Sequence, residues 1–350
     1  MLKDVIIKKK TLHFDEPFQI AYEKVETADV VIIKITDNQG KYGLGSAAPD
    51  KEVTGETIDK VYNILLRKLN KEFFEFPVSD WLKYHEKIQS EFRNFPSAAS
   101  SVEEAILNLF ASQNKITLFD IFGHYRQKCP IVITIGIKSI DKTLQEVRGR
   151  LKEGFKIIKL KCGLDWRKDV VRIKAAKQIL PHQCQLILDA NQGYTLSQAI
   201  NFIKSISRFG ISLIEQPVSA KDIIGLKKLT QLKSVPIIAD ESAVSLDDAK
   251  RLLSGNYVDG INIKLMKCGG PINFIEIFRL ARSFKKIVIV GCMYESNISI
   301  TTGASLALAL PIDYVDLDSG HLDFSDDPVQ GGASVKKGEI FIKDKLKLNF

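Results

Sequence analysis

From about residue 131 the chain repeats one pattern eight times: a short apolar run rich in β-branched residues, then a longer stretch with helical spacing. The runs are "IVITIGI" from 131, "KIIKLK" from 156, "LILDAN" from 186, "SLIEQP" from 212, "PIIADE" from 236, "GINIKLM" from 260, "KIVIVGC" from 286 and "YVDLDS" from 314. Between them lie stretches such as "DWRKDVVRIKAAKQIL" and "GPINFIEIFRLARSFKK", whose apolar residues recur at three and four, the spacing of an amphipathic helix. Strands joined by helical crossovers must pair in parallel and be buried on both faces. Eight such units in about 190 residues predict an α/β fold closed as a TIM-type barrel, over residues 126 to 324. An open doubly wound sheet is the structural alternative.

Residues 1 to 125 read differently. "KDVIIKKKTLHF" and "ADVVIIKITDNQGKYGLGSA" predict an antiparallel sheet with a turn at "TDNQGKYG", and "SAASSVEEAILNLFASQNK" predicts a helix. The expectation is an α+β domain capping the barrel, completed by the alternating "GEIFIKDKLKLNF" near 325 to 350.

Composition excludes several classes. The 50 basic and 42 acidic residues give a net charge of +8, but the charges are dispersed and the single short basic run is Lys8 to Lys10, so no nucleic-acid partner is expected. The five cysteines are widely spaced with no CxxC pair, which argues against a disulfide framework or a zinc site. No apolar run reaches the ~18 residues of a membrane span, and the N-terminus lacks the apolar core of a leader. A cytoplasmic protein without a membrane partner is the expectation.

The barrel strands end in polar side chains: Lys161, Asp189, Glu215, Asp240, Lys264, and Asp316 with Asp318. In a TIM barrel such positions converge on the catalytic mouth. Asp189, Glu215 and Asp240 follow one another at the interval of one βα unit, so they occupy equivalent places on neighbouring strands. Three carboxylates together repel unless a divalent cation sits between them, and an all-oxygen set favours Mg²⁺. Each acid could instead cap the helix that follows it. Lys161 and Lys264 flank the acids, suiting proton transfer, with burial, the ion and Lys159 expected to lower a lysine pKa toward neutrality. Lys159 is expected to tune Lys161 and to meet a substrate carboxylate; for "KIIKLK" alone a solvated strand end is the simpler alternative. A cation with opposed bases suits removal of a proton beside a carboxylate, through an enediolate, and its return on the other face.

Taken together, "KIIKLKCG", "LDANQGY", "IEQP", "ADES" and "INIKLMKCGG" resemble the enolase superfamily in its muconate-lactonizing-enzyme subgroup, along nearly the whole chain. The resemblance implies a modified (β/α)7β barrel with an N-terminal α+β capping domain and one Mg²⁺ per subunit. It implies Lys161 and Lys264 as acid/bases, Asp189, Glu215 and Asp240 as metal ligands, and Asn191 and Glu241 as their supports. The second lysine sets the chain apart from relatives with a late-strand histidine, since His321 falls too far along. "YVDLDSG" resembles the DxD by which dipeptide epimerases hold a substrate α-ammonium, which puts Asp316 and Asp318 against the substrate. The alternative is a pair of ordinary caps. Family comparison also puts Thr134, Cys292 and Tyr294 on substrate, although Cys292 and Cys268 could equally be apolar fillers.

The implied activity is epimerisation of a small dipeptide, Ala-Glu of peptidoglycan origin above all, by a homo-oligomer. The alternatives are an N-acylamino acid racemase or o-succinylbenzoate synthase of the same subgroup, or a metabolite-binding barrel without catalysis. Within "IAYEKVETAD", relatives acting on Ala-Glu carry an arginine where this chain has Glu23 beside Lys24. An inward Lys24 predicts an acidic second residue and an inward Glu23 a basic or neutral one. Ser46 stands where relatives carry an acid, with no functional reading attached.

Overall fold

The computed structural model describes residues 2–21 and 23–349. Three antiparallel strands, β1 (Leu2–Gln19), β2 (Lys24–Asp37) and β3 (Tyr42–Ala47), form the first sheet in that order. The unbroken apolar run of β2 reflects burial on both faces. Val31, Ile33 and Ile35 pack under the helices α1 (Ile58–Lys68), α2 (Trp81–Glu91) and α3 (Pro96–Asn114), while Val30 and Ile32 join the core shared with the barrel. β3 presses so closely on α3 that a Cβ at Gly45 would stand 1.8 Å from the Ser101 carbonyl oxygen, which explains the small residues of "GLG".

After α4 (Leu118–Phe122) and the short β4 (Cys129–Pro130), the eight expected runs all form strands. They are β5 (Val132–Ile135), β6 (Ile157–Lys161), β7 (Gln185–Asp189), β8 (Leu213–Glu215), β9 (Ile237–Ala239), β10 (Gly260–Lys264), β11 (Ile287–Gly291) and β12 (Tyr314–Asp316). Every pair is parallel and the strands follow chain order. β12 returns to lie beside β5, and the Thr134 N–H donates to Asp318 Oδ2 at 2.6 Å, closing the ring. An open sheet would leave those ends apart, so the eight strands close into a barrel.

Crossover helices surround the ring: α5 (Ile140–Lys152), α6 (Trp166–Ile179), α7 (Leu196–Ile206), α8 (Ile223–Gln231), α9 (Leu246–Ser254), the short α10 (Leu265–Cys268), α11 (Pro271–Ser283) and α12 (Asn297–Ala309). Their starts are chemically specified: Thr195 forms a capping box with Gln198, and Ser139, Asp165, Asp222, Ser245 and Ser296 each accept an N–H of the first turn. None of the three proposed metal-binding acids is among these caps.

The C-terminal strands depart from expectation. β13 (Val329–Lys336) and β14 (Glu339–Leu348) pair with each other and with β4, not with the β1–β3 sheet. They pack on α12, so the alternating "GEIFIKDKLKL" forms a strand, but its partners lie beside the barrel. Among the described residues no helix is long and apolar enough to cross a membrane.

Candidate active site

Period-two alternation answers why β6 carries two lysines. Ile157 lies with Val132, Ile187, Leu213, Ile238 and Ile289 in a cluster that fills the barrel, whereas Ile158 and Leu160 belong to the layer packed under the helices. Lys159 and Lys161 therefore share the inward face with Ile157, one and two steps nearer the mouth. Lys161 is directly paired with Asp189, and Asp189 with Glu215. Asp240 comes two residues after Ile238, whose partner is Glu215, so it sits just past the end of β9.

Lys159 is 3% exposed, and its ammonium lies 2.7 Å from Glu215 Oε2, 2.7 Å from Asp316 Oδ2 and 3.0 Å from Asp189 Oδ2. Lys161 lies 2.8 Å from the same Asp189 oxygen, and Lys264 lies 2.8 Å from Asp240 Oδ2. Lys267, fully buried, binds the other Asp240 oxygen and the carbonyls of Asp240 and Asn262. Asn262 donates its amide to Glu215 Oε1.

These contacts set the protonation of the site. Burial opposes charge on Asp189, but Lys159 and Lys161 outweigh it and hold the acid down at about 2. Against its own burial, Asp240 is held well below the ordinary carboxylate range by Lys264 and Lys267. Burial and then Asp240 push Glu241 up to about 7; burial, only partly offset by Lys159, pushes Glu215 up to about 8. The expectation of lowered lysine pKa values is reversed at two positions: although burial works against them, Lys159 and Lys264 are raised well above the usual lysine value by the carboxylates around them. Lys159 is tied to three carboxylates at once, so it acts first as a fixed positive charge under the site.

A cavity of about 320 Å³ opens above this layer, of the size that encloses a small ligand. Thr134, Lys159, Lys161, Asn191, Glu241, Lys264, Cys292, Tyr294, Asp316 and Asp318 all line it. Lys24 does not: it starts β2 with its side chain exposed, and Glu23 is the lid residue facing the cavity. The roof is the end of β1, where the register against β2 shifts between His13 and Phe18 and turns Phe14 and Phe18 toward the barrel. Phe14 meets Tyr294 edge-on at 5.1 Å and Phe324 at 4.7 Å. Ser46 lies away from the cavity, its N–H on Glu104 and its carbonyl on Ser299, at the joint between capping domain and barrel.

Asp189, Glu215, Asp240, Asn191 and Glu241 form an all-oxygen donor set. Among the described residues no three His, Cys, Asp or Glu side chains meet closely enough to grip an ion as they stand, because lysine ammonium groups lie between the acids. The set nevertheless fits a hard divalent cation. Glu241 Oε2 and Asn191 Oδ1 are buried without a hydrogen-bond partner and are free to take one.

Three further residues support the site. Gln216 sits at φ 36, unusual for glutamine, and accepts the N–H groups of Asp240 and Ser242 while donating to Val218 and Ser242, which fixes the turn carrying Asp240. Asn262 and Lys267 fall within "INIKLMK", where their polarity inside an apolar strand and helix is the sequence signal for them.

Residues 142–346 match the enolase C-terminal domain-like family and residues 2–123 match the mandelate racemase / muconate lactonizing enzyme N-terminal domain. The chain is 31% identical to the L-Ala-D/L-Glu epimerase of Clostridium acetobutylicum, over 99% of this chain and 97% of that one. It is also 31% identical to the L-Lys-D/L-Arg epimerase of Desulforapulum autotrophicum, over 98% and 97%. The dipeptide epimerase of Enterococcus faecalis, in complex with Mg and L-Leu-L-Tyr, superimposes with a TM-score of 0.92 at 30% identity, over 98% of this chain and 97% of that one. Three different side-chain classes at nearly equal identity leave the substrate to be argued from the cavity. By both its domains and its full-length relatives, the chain belongs to the enolase superfamily, among the mandelate racemase and muconate lactonizing enzyme proteins, and is an isomerase of the epimerase and racemase kind.

Proposed function

We propose that the protein is a Mg²⁺-dependent dipeptide epimerase that inverts the α-carbon of the C-terminal residue. The observation that carries this reading is the placement of two lysines. β6 and β10 stand four places apart in a ring of eight, so Lys161 and Lys264 approach the cavity from opposite sides. A carbon between them can lose a proton to one amine and regain one from the opposite ammonium. The C–H electrons pass into the substrate carboxylate as an enediolate, and reprotonation on the far face inverts the centre.

Asp189, Glu215 and Asp240 would hold Mg²⁺, with Asn191 and Glu241 behind them. Bound there, the ion would supply positive charge against the negative charge that develops on the substrate carboxylate. Lys159 adds a permanent charge beneath it. Asp316 and Asp318 would take the substrate α-ammonium: Asp316 Oδ1 is buried without a hydrogen-bond partner and both carboxylates border the cavity, an arrangement that would repel an anionic acyl group.

The test is incubation with Mg²⁺ and mixed L-Ala-L-Xaa dipeptides in D₂O, read by mass spectrometry and chiral chromatography. Gain of one deuteron at the C-terminal α-carbon, with appearance of the second diastereomer, is expected. Exchange confined to N-succinylamino acids, and persisting in Asp316→Asn with Asp318→Asn, would replace this reading with an N-acylamino acid racemase or o-succinylbenzoate synthase.

A further inference from the structure

Resting on that reading of the reaction, we propose that the residue whose α-carbon is inverted carries a cationic side chain, lysine or arginine, held by Glu23 with Asp50 beside it. Glu23 lies in the loop between β1 and β2, half-buried, and lines the cavity together with Tyr294. Asp50, just past β3, borders the same space, and its Oδ1 accepts the N–H groups of Glu52 and Val53, which fixes its position.

The cations around the cavity are already committed. Lys161 is bound to Asp189, and Lys264 to Asp240. Across the mouth, Lys138 pairs with Glu146 at 2.6 Å and Arg150 with Glu153 at 3.1 Å. Among the described residues neither Glu23 nor Asp50 has a lysine, arginine or histidine at ion-pair distance. Burial, then Asp50, raises the Glu23 carboxyl above its ordinary value. An incoming ammonium or guanidinium supplies the missing ion-pair partner; an incoming carboxylate adds a third negative group.

The geometry also says which substrate residue meets Glu23. Glu23 and Tyr294 line the same cavity as Lys161 and Lys264, so a side chain on the carbon held between the two lysines can reach Glu23. Asp316 and Asp318, on the β12 side, face the other end of the dipeptide. Phe18, Ile20 and Val53 border the approach to Glu23 and suit the aliphatic stem of lysine or arginine.

The experiment compares L-Ala-L-Lys, L-Ala-L-Met and L-Ala-L-Glu, by α-deuteration in D₂O with Mg²⁺ and by calorimetric binding, for the natural protein and Glu23→Gln. We expect kcat/KM for L-Ala-L-Lys to exceed that for L-Ala-L-Met by about 10-fold and that for L-Ala-L-Glu by about 100-fold. Glu23→Gln should cut the lysine-to-methionine ratio about 10-fold, mostly through KM and with a matching loss of L-Ala-L-Lys binding. Exchange that favours L-Ala-L-Glu, or a ratio indifferent to Glu23→Gln, overturns the inference and leaves the epimerase standing. Exchange in no dipeptide overturns both.

Discussion

A single side chain in this site acts through its partners, and Lys267 is the plainest case. It is wholly buried, and its charge is matched by the Asp240 carboxylate and two carbonyls. Lys267→Met should leave Asp240 with one cation fewer. A loss of about 3 to 5 kcal/mol in urea unfolding is expected, the usual result of stranding a buried charge. Lys161 and Lys264 behave differently, because each is partly open to the cavity. Lys161→Ala and Lys264→Ala should each slow inversion by about 10³-fold or more, with a smaller loss in unfolding than Lys267→Met. Equal loss of stability and activity in all three variants would contradict this division. The lysines and acids of this layer were legible from residue type and interval alone. The inward direction of Glu23 was not, since a loop has no period from which a facing can be read.

At the scale of elements, strand register decides what reaches the mouth. Gly291 ends β11 opposite Lys264, and a Cβ there would stand 2.3 Å from Asn262 Oδ1. Gly291→Ala should push the Asn262 amide off Glu215 and lower kcat/KM by about 10-fold, the usual effect of disturbing a group behind a metal site. Metal affinity measured by calorimetry should fall with it, and a variant that binds Mg²⁺ normally would disprove the coupling. The eight strands were legible because parallel strands buried on both faces leave unmistakable apolar runs. The pairing of β13 and β14 with β4 was not, because alternation identifies a strand and its exposed face without naming its neighbour.

At the scale of the molecule, the capping domain and the barrel share buried polar joints. His85 of α2 contacts Glu103 of α3, and the second Glu103 oxygen accepts the Ile272 N–H of α11 at 3.0 Å. Burial disfavours charge on His85, but the Glu103 hydrogen bond and its carboxylate outweigh it, so the histidine pKa is raised. A raised folded-state value means the contact stabilises fully below the unfolded value of about 6.5 and fades as pH rises through the folded one. The stability difference between the natural protein and His85→Ala, followed by urea unfolding, should be about 1 kcal/mol near pH 5.5 and shrink above neutrality. A difference that grows with pH would reverse the assignment. A second joint sets Glu104 against Ser46, Ser100 and Ser299, with burial and then Glu295 keeping its carboxyl well above the ordinary range.

The sequence by itself determined the barrel, its capping domain and the chemistry of the inward strand ends. Those depend on period, apolar length and residue type, which are local properties. Tertiary structure alone decided the closure of β12 onto β5, the direct pairing of lysines with carboxylates, and the choice of Glu23 over Lys24 as the lid residue in the cavity. Each of these joins residues far apart in the chain, and the energies that choose among such contacts come from burial and charge in three dimensions.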